Sequence, residues 1–327
     1  MLVSKQLSII AIYLFFLKFF FDKQVFNILK VGMNSMETIS EISQKPKTDN
    51  EILFIGNTED EISFVNSKIN FVGKGNRLII ERGAKIKNAT LNFNRNNSLI
   101  IIGKSNHNAT MSVSVWNDNT FFLGRNYSFN GAARFLLSEQ KNLFIGHDNM
   151  FSSGVVVRLA DPHLIYDGTT RKRINPTKSV YLGDHIWIGQ DVMILKGVEV
   201  GTGSILGAKS LVTRSLPSNV AVAGSPARVV RKDVFWARPS VHAYTEKETM
   251  DSQEFPDGRF VYTPKGSTEK HFAKIEEKLN TATSVEEKTA ILTPYLDVTS
   301  KNRFFLPVPP EKKKTFLDRI FRKGSKE

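Results

Sequence analysis

Residues 182–212 read LGDHIWIGQDVMILKGVEVGTGSILGAKSLV, and the spacing inside this stretch decides the fold. An aliphatic residue recurs at every sixth position: Leu182, Ile188, Ile194, Val200, Leu206 and Val212. Glycine follows four of them, at Gly183, Gly189, Gly201 and Gly207. Four residues after each repeat start stands a second small or branched residue: Ile186, Val192, Val198, Ser204 and Ser210. A period of six walks around a 3.6-residue helical turn and leaves no apolar face. A single strand would keep every sixth residue on one side, but the glycines would break it repeatedly. The pattern suits a coil with three flat faces, where each aliphatic points inward and the next residue turns a corner that glycine relieves of strain. Three hexads make one coil of eighteen residues, and stacked coils bury a continuous aliphatic column. The expectation is a mainly β chain built on a left-handed parallel β-helix, an exception to right-handed crossovers.

Upstream the same motif is padded. The pairs Ile80-Glu81, Ile102-Gly103, Leu123-Gly124, Ile145-Gly146 and Leu182-Gly183 each close a short apolar strand. Their spacings are 22, 21, 22 and then 37 residues. Against eighteen per coil, the first three coils carry insertions of three or four residues and the fourth about nineteen more. So long an insertion in a coil points to function rather than scaffold. It lies around Asp161 to Lys178 and, alone among the six histidines, His163 falls in it, beside an acid, Asp161. In the hexad frame Trp187 precedes inward-facing Ile188, so its indole should face outward.

Four segments carry a family resemblance: Asp161-Pro162-His163 followed by Ile165-Tyr166-Asp167; Arg173-Ile174-Asn175; the block GDHIWIGQDVMILKGVEVGTGSILGAKSLVT from Gly183; and AGSPARVV from Ala223. In this order, from about Phe93 to Trp236, the chain resembles the hexapeptide-repeat acyltransferases, in particular the branch with sialic-acid and capsule O-acetyltransferases. The resemblance implies acetyl transfer from acetyl-CoA to a sugar hydroxyl of a bacterial surface polysaccharide, with His163 as general base. Such transfer needs a base, a donor to the developing oxyanion and alignment of both reactants. Histidine suits the base because its ordinary pKa lies near neutrality, and Asp161 could orient it. The resemblance gives Trp187 the pantetheine channel and a hydrogen bond to the thioester carbonyl. It places pantetheine against backbone groups near Gly207, Ala208 and Ser210, with the phosphates near Lys209, Arg214, Arg228 and Arg231. Lys209 departs from the family, which has a small residue there. Arg158, Tyr166, Arg173 and Asn175 are the expected substrate-binding residues. A homotrimer is expected because the family places its sites between neighbouring coils. Two other readings stay open: acyl transfer to a small amino-sugar nucleotide or amino acid, and a β-helix scaffold without catalysis.

Composition narrows the chemistry. There is no cysteine, which removes disulfides, cysteine-ligated zinc and a thiol acyl-enzyme. No Gly-x-Ser-x-Gly elbow is present, so a serine acyl-enzyme has no support and transfer should be direct. His107, His147 and His185 lack the close pair a histidine metal site uses, so no metal is expected. The formal charge is +13, much of it from Lys312, Lys313, Lys314, Arg319, Arg322 and Lys323. Without interleaved aromatics or a reading-helix motif, this surplus suits an anionic polysaccharide, anionic lipid or phosphorylated cofactor rather than nucleic acid.

The expected domains are an apolar helical extension over 1–48, the β-helix over 49–236 and a basic helical extension over 237–327. The run SIIAIYLFFLKFFF from Ser8 to Phe21 is short for a bilayer span, which takes about 20 apolar residues. An interfacial membrane helix, a packing or oligomer helix, and a signal or anchor are its three readings. Phe272, Ile275 and Leu279 have helical spacing, and Ser284 with Glu287 forms a capping-box signature. The segment KKKTFLDRIFRK reads as an amphipathic helix for an anionic membrane or as a solvated tail. The expected location is cytoplasmic, or peripheral at the inner face of the plasma membrane.

Overall fold

The computed structural model describes residues 36–264 and 271–308. The chain divides after Glu37 into two units. The second unit carries a three-faced left-handed β-helix of about seven turns. Among the described residues one face has eight strands, ending in Val156–Arg158, Met193–Ile194 and Leu211–Val212. The second has seven, including Asn142–Ile145, Val180–Leu182 and Glu199–Val200. The third runs through Met150–Phe151, Trp187–Ile188, Ile205–Leu206 and Val220–Ala223, where Arg228–Lys232 folds back antiparallel.

The padded repeats stack as the spacing predicts. Ile80 pairs with Ile102, Ile102 with Leu123, Leu123 with Ile145, Ile145 with Leu182, and Leu182 with Val200. The 37-residue step closes in the same register as the shorter ones, so the extra residues loop out without disturbing the column. All six aliphatics of the founding repeat are fully buried. Truncating one to alanine would cost about 2–5 kcal/mol.

The glycines do a different job from the one expected. Gly183, Gly189, Gly201 and Gly207 are not among the residues with positive φ. What they supply is space: a Cβ would lie 2.8 Å from the Thr202 nitrogen at Gly183, 2.7 Å from the Leu206 oxygen at Gly189, and 2.8 Å from the Val222 oxygen at Gly207. The left-handed corner comes two residues later, also with period six, at His185 (φ 53°), Asp191 (56°), Gly197 (76°), Gly203 (81°) and Lys209 (60°). Lys209, the departure from the family pattern, is thus a long side chain in a conformation that costs most non-glycine residues about 1–2 kcal/mol. Where Glu81 replaces a corner glycine, its buried carboxylate takes the Lys104 N–H at 2.9 Å and pairs with Arg125 at 2.6 Å.

The C-terminal extension packs on the outside of the second face. The helix His271–Thr281 buries Phe272, Ile275 and Leu279, the residues its spacing singled out, in one cluster with Phe122, Phe144 and Tyr181. Glu276 accepts hydrogen bonds from Tyr181 and, at 3.1 Å, from Ser179. The next helix, Val285–Leu292, opens on Ser284, whose hydroxyl accepts the Glu287 N–H at 3.1 Å, while the Glu287 carboxylate takes the Thr283 N–H at 2.7 Å. Arg303 closes the segment on Asp184 at 2.7 Å, with both side chains largely buried. The apolar run Ser8–Phe21 and the basic segment 312–323 lie outside the described residues.

These two roles make opposite predictions. Gly189→Ala should destabilise by about 1–3 kcal/mol because the clash is with backbone. Lys209→Asn should stabilise by up to about 1 kcal/mol because asparagine tolerates the left-handed region. Thermal unfolding of both variants reads the difference directly.

Candidate active site

The long insertion folds as a hairpin finger between Val156–Arg158 on the first face and Val180–Leu182 on the second. Tyr166 and Arg173 form an antiparallel bridge, and the Ile174 N–H reaches the Ile165 carbonyl at 2.9 Å. Asp167 closes the tip by accepting the N–H groups of Thr169 at 3.0 Å and Thr170 at 2.6 Å. Those bonds hold its carboxyl below the usual range. Asp167-Gly168 was the sequence signal for this turn, and the spacing argument passed over it.

The finger's root is a polar latch. Asn175, 5% exposed, donates to the His163 carbonyl at 2.7 Å and to Asp161 at 3.3 Å, and accepts the Ile165 N–H at 2.9 Å. Arg173 clamps Glu139 with two bonds of 2.7 and 2.9 Å, and the Thr177 hydroxyl donates to the same carboxylate. The Arg173 guanidinium first, and Thr177 second, hold the Glu139 carboxyl down at about 2. Lys196 reaches in from the next coil to Asp161 at 2.6 Å and to the Asn175 carbonyl at 3.2 Å.

This latch corrects three expectations. Asp161 does not orient the His163 imidazole in this chain, because Lys196 and Asn175 take its carboxylate. Arg173 and Asn175 are not free to hold substrate, because one is spent on Glu139 and the other on the finger's own backbone. His163 itself is exposed, and among the described residues its imidazole makes no hydrogen bond; the latch fixes only its carbonyl. Tyr166 projects outward at 55% exposure. Arg158 is half-buried at the end of its strand and makes no hydrogen bond or ion pair among the described residues.

Trp187 faces outward as its place in the hexad requires, at 40% exposure. It lies on the third face in a ladder with Met150 and Ile205, and Ile205 pairs in turn with Ala221 and Ala221 with Arg231. Trp236 stands 6.2 Å away, ring to ring, and is held by His185: the two rings stack at 4.2 Å, and the indole N–H donates to the His185 carbonyl at 3.0 Å. Asp148 and Phe260 complete this buried clamp around His185.

The fold also joins two segments expected near the cofactor. Gly207 bonds to Val222 at 2.8 Å, Leu211 to Gly224 at 3.1 Å, and Ala227 to Leu211 at 2.8 Å, so the Gly207–Lys209 corner lies beside AGSPAR. Ala208, Lys209, Arg228 and Arg231 are exposed there. Ser210 is 1% exposed, and its carbonyl accepts the Met193 N–H at 2.9 Å. Arg214 follows Val212 at the next corner, away from the other three bases.

The expected site residues therefore fall into two groups on one chain. His163 leaves from the edge between the first and second faces, while Trp187 and the basic corner belong to the third. Among the described residues no group of three or more metal-ligating side chains converges.

The latch has an acid limit. Glu139 titrates at about 2 in the folded chain against an ordinary 4.5, so its pairing with Arg173 stabilises the finger above pH 4.5. That contribution fades as pH falls from about 4.5 to 2. Arg173→Gln should expose the finger to proteolysis at neutral pH as strongly as acid does in the unmodified chain. Timed cleavage within residues 160–178 measures both.

No family model matches the chain. The polysialic acid O-acetyltransferase of Escherichia coli O1:K1 / APEC is 34% identical over 108 residues, which are 33% of this chain and 35% of that protein. The polysialic acid O-acetyltransferase of Neisseria meningitidis is 28% identical over 178 residues, 54% of this chain and 82% of that protein. The galactoside O-acetyltransferase of Lactococcus lactis is 34% identical over 96 residues, 46% of its length. The match thus spans under half of two of these three relatives. The crystal structure of the polySia-specific acetyltransferase NeuO superposes with a TM-score of 0.55 at 31% identity, covering 60% of this chain and 82% of that one. With this likeness in both sequence and coil, the chain belongs to the hexapeptide-repeat, left-handed β-helix acyltransferases, in the branch that contains the polysialic acid O-acetyltransferases.

Proposed function

We propose that this chain is an acetyl-CoA-dependent O-acetyltransferase acting on a sugar hydroxyl of a bacterial surface polysaccharide. The observation that carries the reading is the finger, which presents His163 exposed and unpaired among the described residues on a root tied down by a network of side-chain bonds. A base that must take a proton from a bulky acceptor needs this combination of access and fixed position. The names of the relatives supply the acceptor class, and the +13 charge suits an anionic polymer.

Acetyl-CoA supplies an activated acetyl thioester when bound. Lys209, Arg228 and Arg231 fit its phosphates, since they are exposed together at one corner, and Gly207 and Ala208 leave the adjoining backbone bare. The Trp187 indole lies on the same face and would donate its N–H to the developing oxyanion. His163 accepts the hydroxyl proton as the acceptor oxygen attacks the thioester carbon, then returns it to the departing sulfur, so CoA leaves as the thiol. Because His163 and Trp187 belong to different faces of one chain, the site closes when the finger of one copy meets the third face of another. A homotrimer supplies that pairing three times over. No helix of the described residues is long and apolar enough to cross a membrane.

His163→Ala should lower kcat by about 10²–10⁴-fold with an unchanged melting temperature. Trp187→Phe, which keeps the plate and removes the donor, should cost up to about 10²–10³-fold. The decisive assay incubates the protein with labelled acetyl-CoA and purified polysialic acid. Polymer-bound label that alkali releases supports an ester; alkali-stable label would mean an amide and overturn O-transfer.

A further inference from the structure

A cleft of about 440 Å³ runs along the corner between the first and second faces, directly below the finger. Three successive coils build it. The first gives Trp116 and Asn117, the second Leu136, Ser138, Glu139 and Gln140, and the third Arg158, Ala160 and Pro162. Pro162, which lines the cleft, immediately precedes His163 in the chain.

Three features fit it to a ligand. Trp116 leaves 37% of its surface exposed at one end, a large flat group that the core does not need. An indole of this kind packs against the C–H face of a sugar ring while its neighbours hydrogen-bond the hydroxyls. Leu136 and Arg158 are paired across adjacent strands, which puts a guanidinium one coil from the apolar floor. That guanidinium makes no hydrogen bond or ion pair among the described residues, although its field reaches the Asp161 carboxylate. Two acids of the finger's root are already engaged: Glu139 by Arg173 and Thr177, Asp161 by Lys196 and Asn175. The latch therefore leaves the Arg158 fork without a bonded partner in a cleft that also holds an aromatic plate, a pairing that matches a carboxylate two-pronged. Glu139 and Gln140 adopt consecutive left-handed conformations, φ 46° and 55°, at the cleft wall. Such backbone persists where surrounding bonds enforce it, and here Arg173 does so.

We propose that this cleft is a subsite for a non-reacting acidic sugar of the acceptor, with Trp116 stacking on its ring and Arg158 clamping its carboxylate. The proposal rests on the reading of the chain as a polysaccharide-modifying enzyme. It assigns to the three coils upstream of the finger a role in holding the acceptor one or more sugars away from the hydroxyl that reacts.

The test is calorimetric titration of the full chain, without acetyl-CoA, using short oligomers of polysialic acid as the probe. Trp116→Ala and Arg158→Gln should each weaken binding at least tenfold, and Trp116→Phe should retain most of it. Oligomers whose carboxyls have been reduced to alcohols should bind the unmodified chain no better than intact oligomers bind Arg158→Gln. His163→Ala should bind the intact oligomers normally. In turnover, the cleft variants should raise the acceptor KM at least tenfold, with kcat within threefold and the acetyl-CoA KM unchanged. Undiminished binding by either cleft variant, equal binding of reduced oligomers, or no binding by the unmodified chain would overturn the subsite. If His163→Ala abolishes transfer while the cleft variants behave as the unmodified chain, the subsite fails and the enzymatic reading stands. If binding depends on Trp116 and Arg158 but the unmodified chain transfers no acetyl group, the enzymatic reading fails and the subsite stands.

Discussion

Backbone stacking between successive coils governs the rest of this structure. Each coil hydrogen-bonds to the next along all three faces, and at the corners the chains approach until a methyl group would overlap the backbone beneath. Satisfying every buried peptide group in this way leaves no freedom in the register. A coil can grow only outward, as a loop, because any residue inserted within a face would shift the inward aliphatics out of the column. The 37-residue step obeys this rule: Ile145 still meets Leu182, and everything extra becomes the finger.

The finger then depends on charge rather than on apolar packing. Leu164, Ile165, Tyr166 and Ile174 are exposed, so the hairpin has little core of its own. Arg173 with Glu139, and Lys196 with Asp161, tie its root to the coils before and after it, while Asn175 cross-links the two strands between them. Partly exposed ion pairs are individually weak, but a bidentate pair within a network of shared partners fixes geometry more than it adds stability. The same bonds consume the local carboxylates, which is what leaves Arg158 and the His163 imidazole available. Structural support and binding capacity are thus set by one allocation of charges.

On the other side, a second device fixes the surroundings of Trp187. His185 occupies a left-handed corner, stacks between Trp236 and Phe260, and is bonded at both ring nitrogens, to Asp148 at 2.5 Å and the Trp236 carbonyl at 3.0 Å. Arg238 adds its own pair with Asp148 at 2.7 Å. The chain leaving the β-helix is thereby fastened two residues from Trp187, so the extension after Trp236 is part of the same packed unit. The helices beyond it cover the second face with aromatic contacts to Phe144 and Tyr181.

The sequence alone determined the coil, its period, the inward residues and the place of the finger. All of these follow from a repeat of six that must bury one aliphatic per face, a constraint written locally in every hexad. It also determined that Trp187 faces outward and that Phe272, Ile275 and Leu279 share a buried helix face. Tertiary structure decided what depends on partners far apart in the chain. The glycines after Leu182 and Ile188 proved to answer the coil below, and a single hexad cannot show that neighbour. Asp161, two residues before His163 in sequence, turned instead to Lys196, because the next coil brings an ammonium within reach. Trp116 and Arg158, 42 residues apart, carried no local signal as a pair. Only the stacking of coils sets them in one cleft, because cross-coil neighbours are fixed by the number of residues looped out between strands.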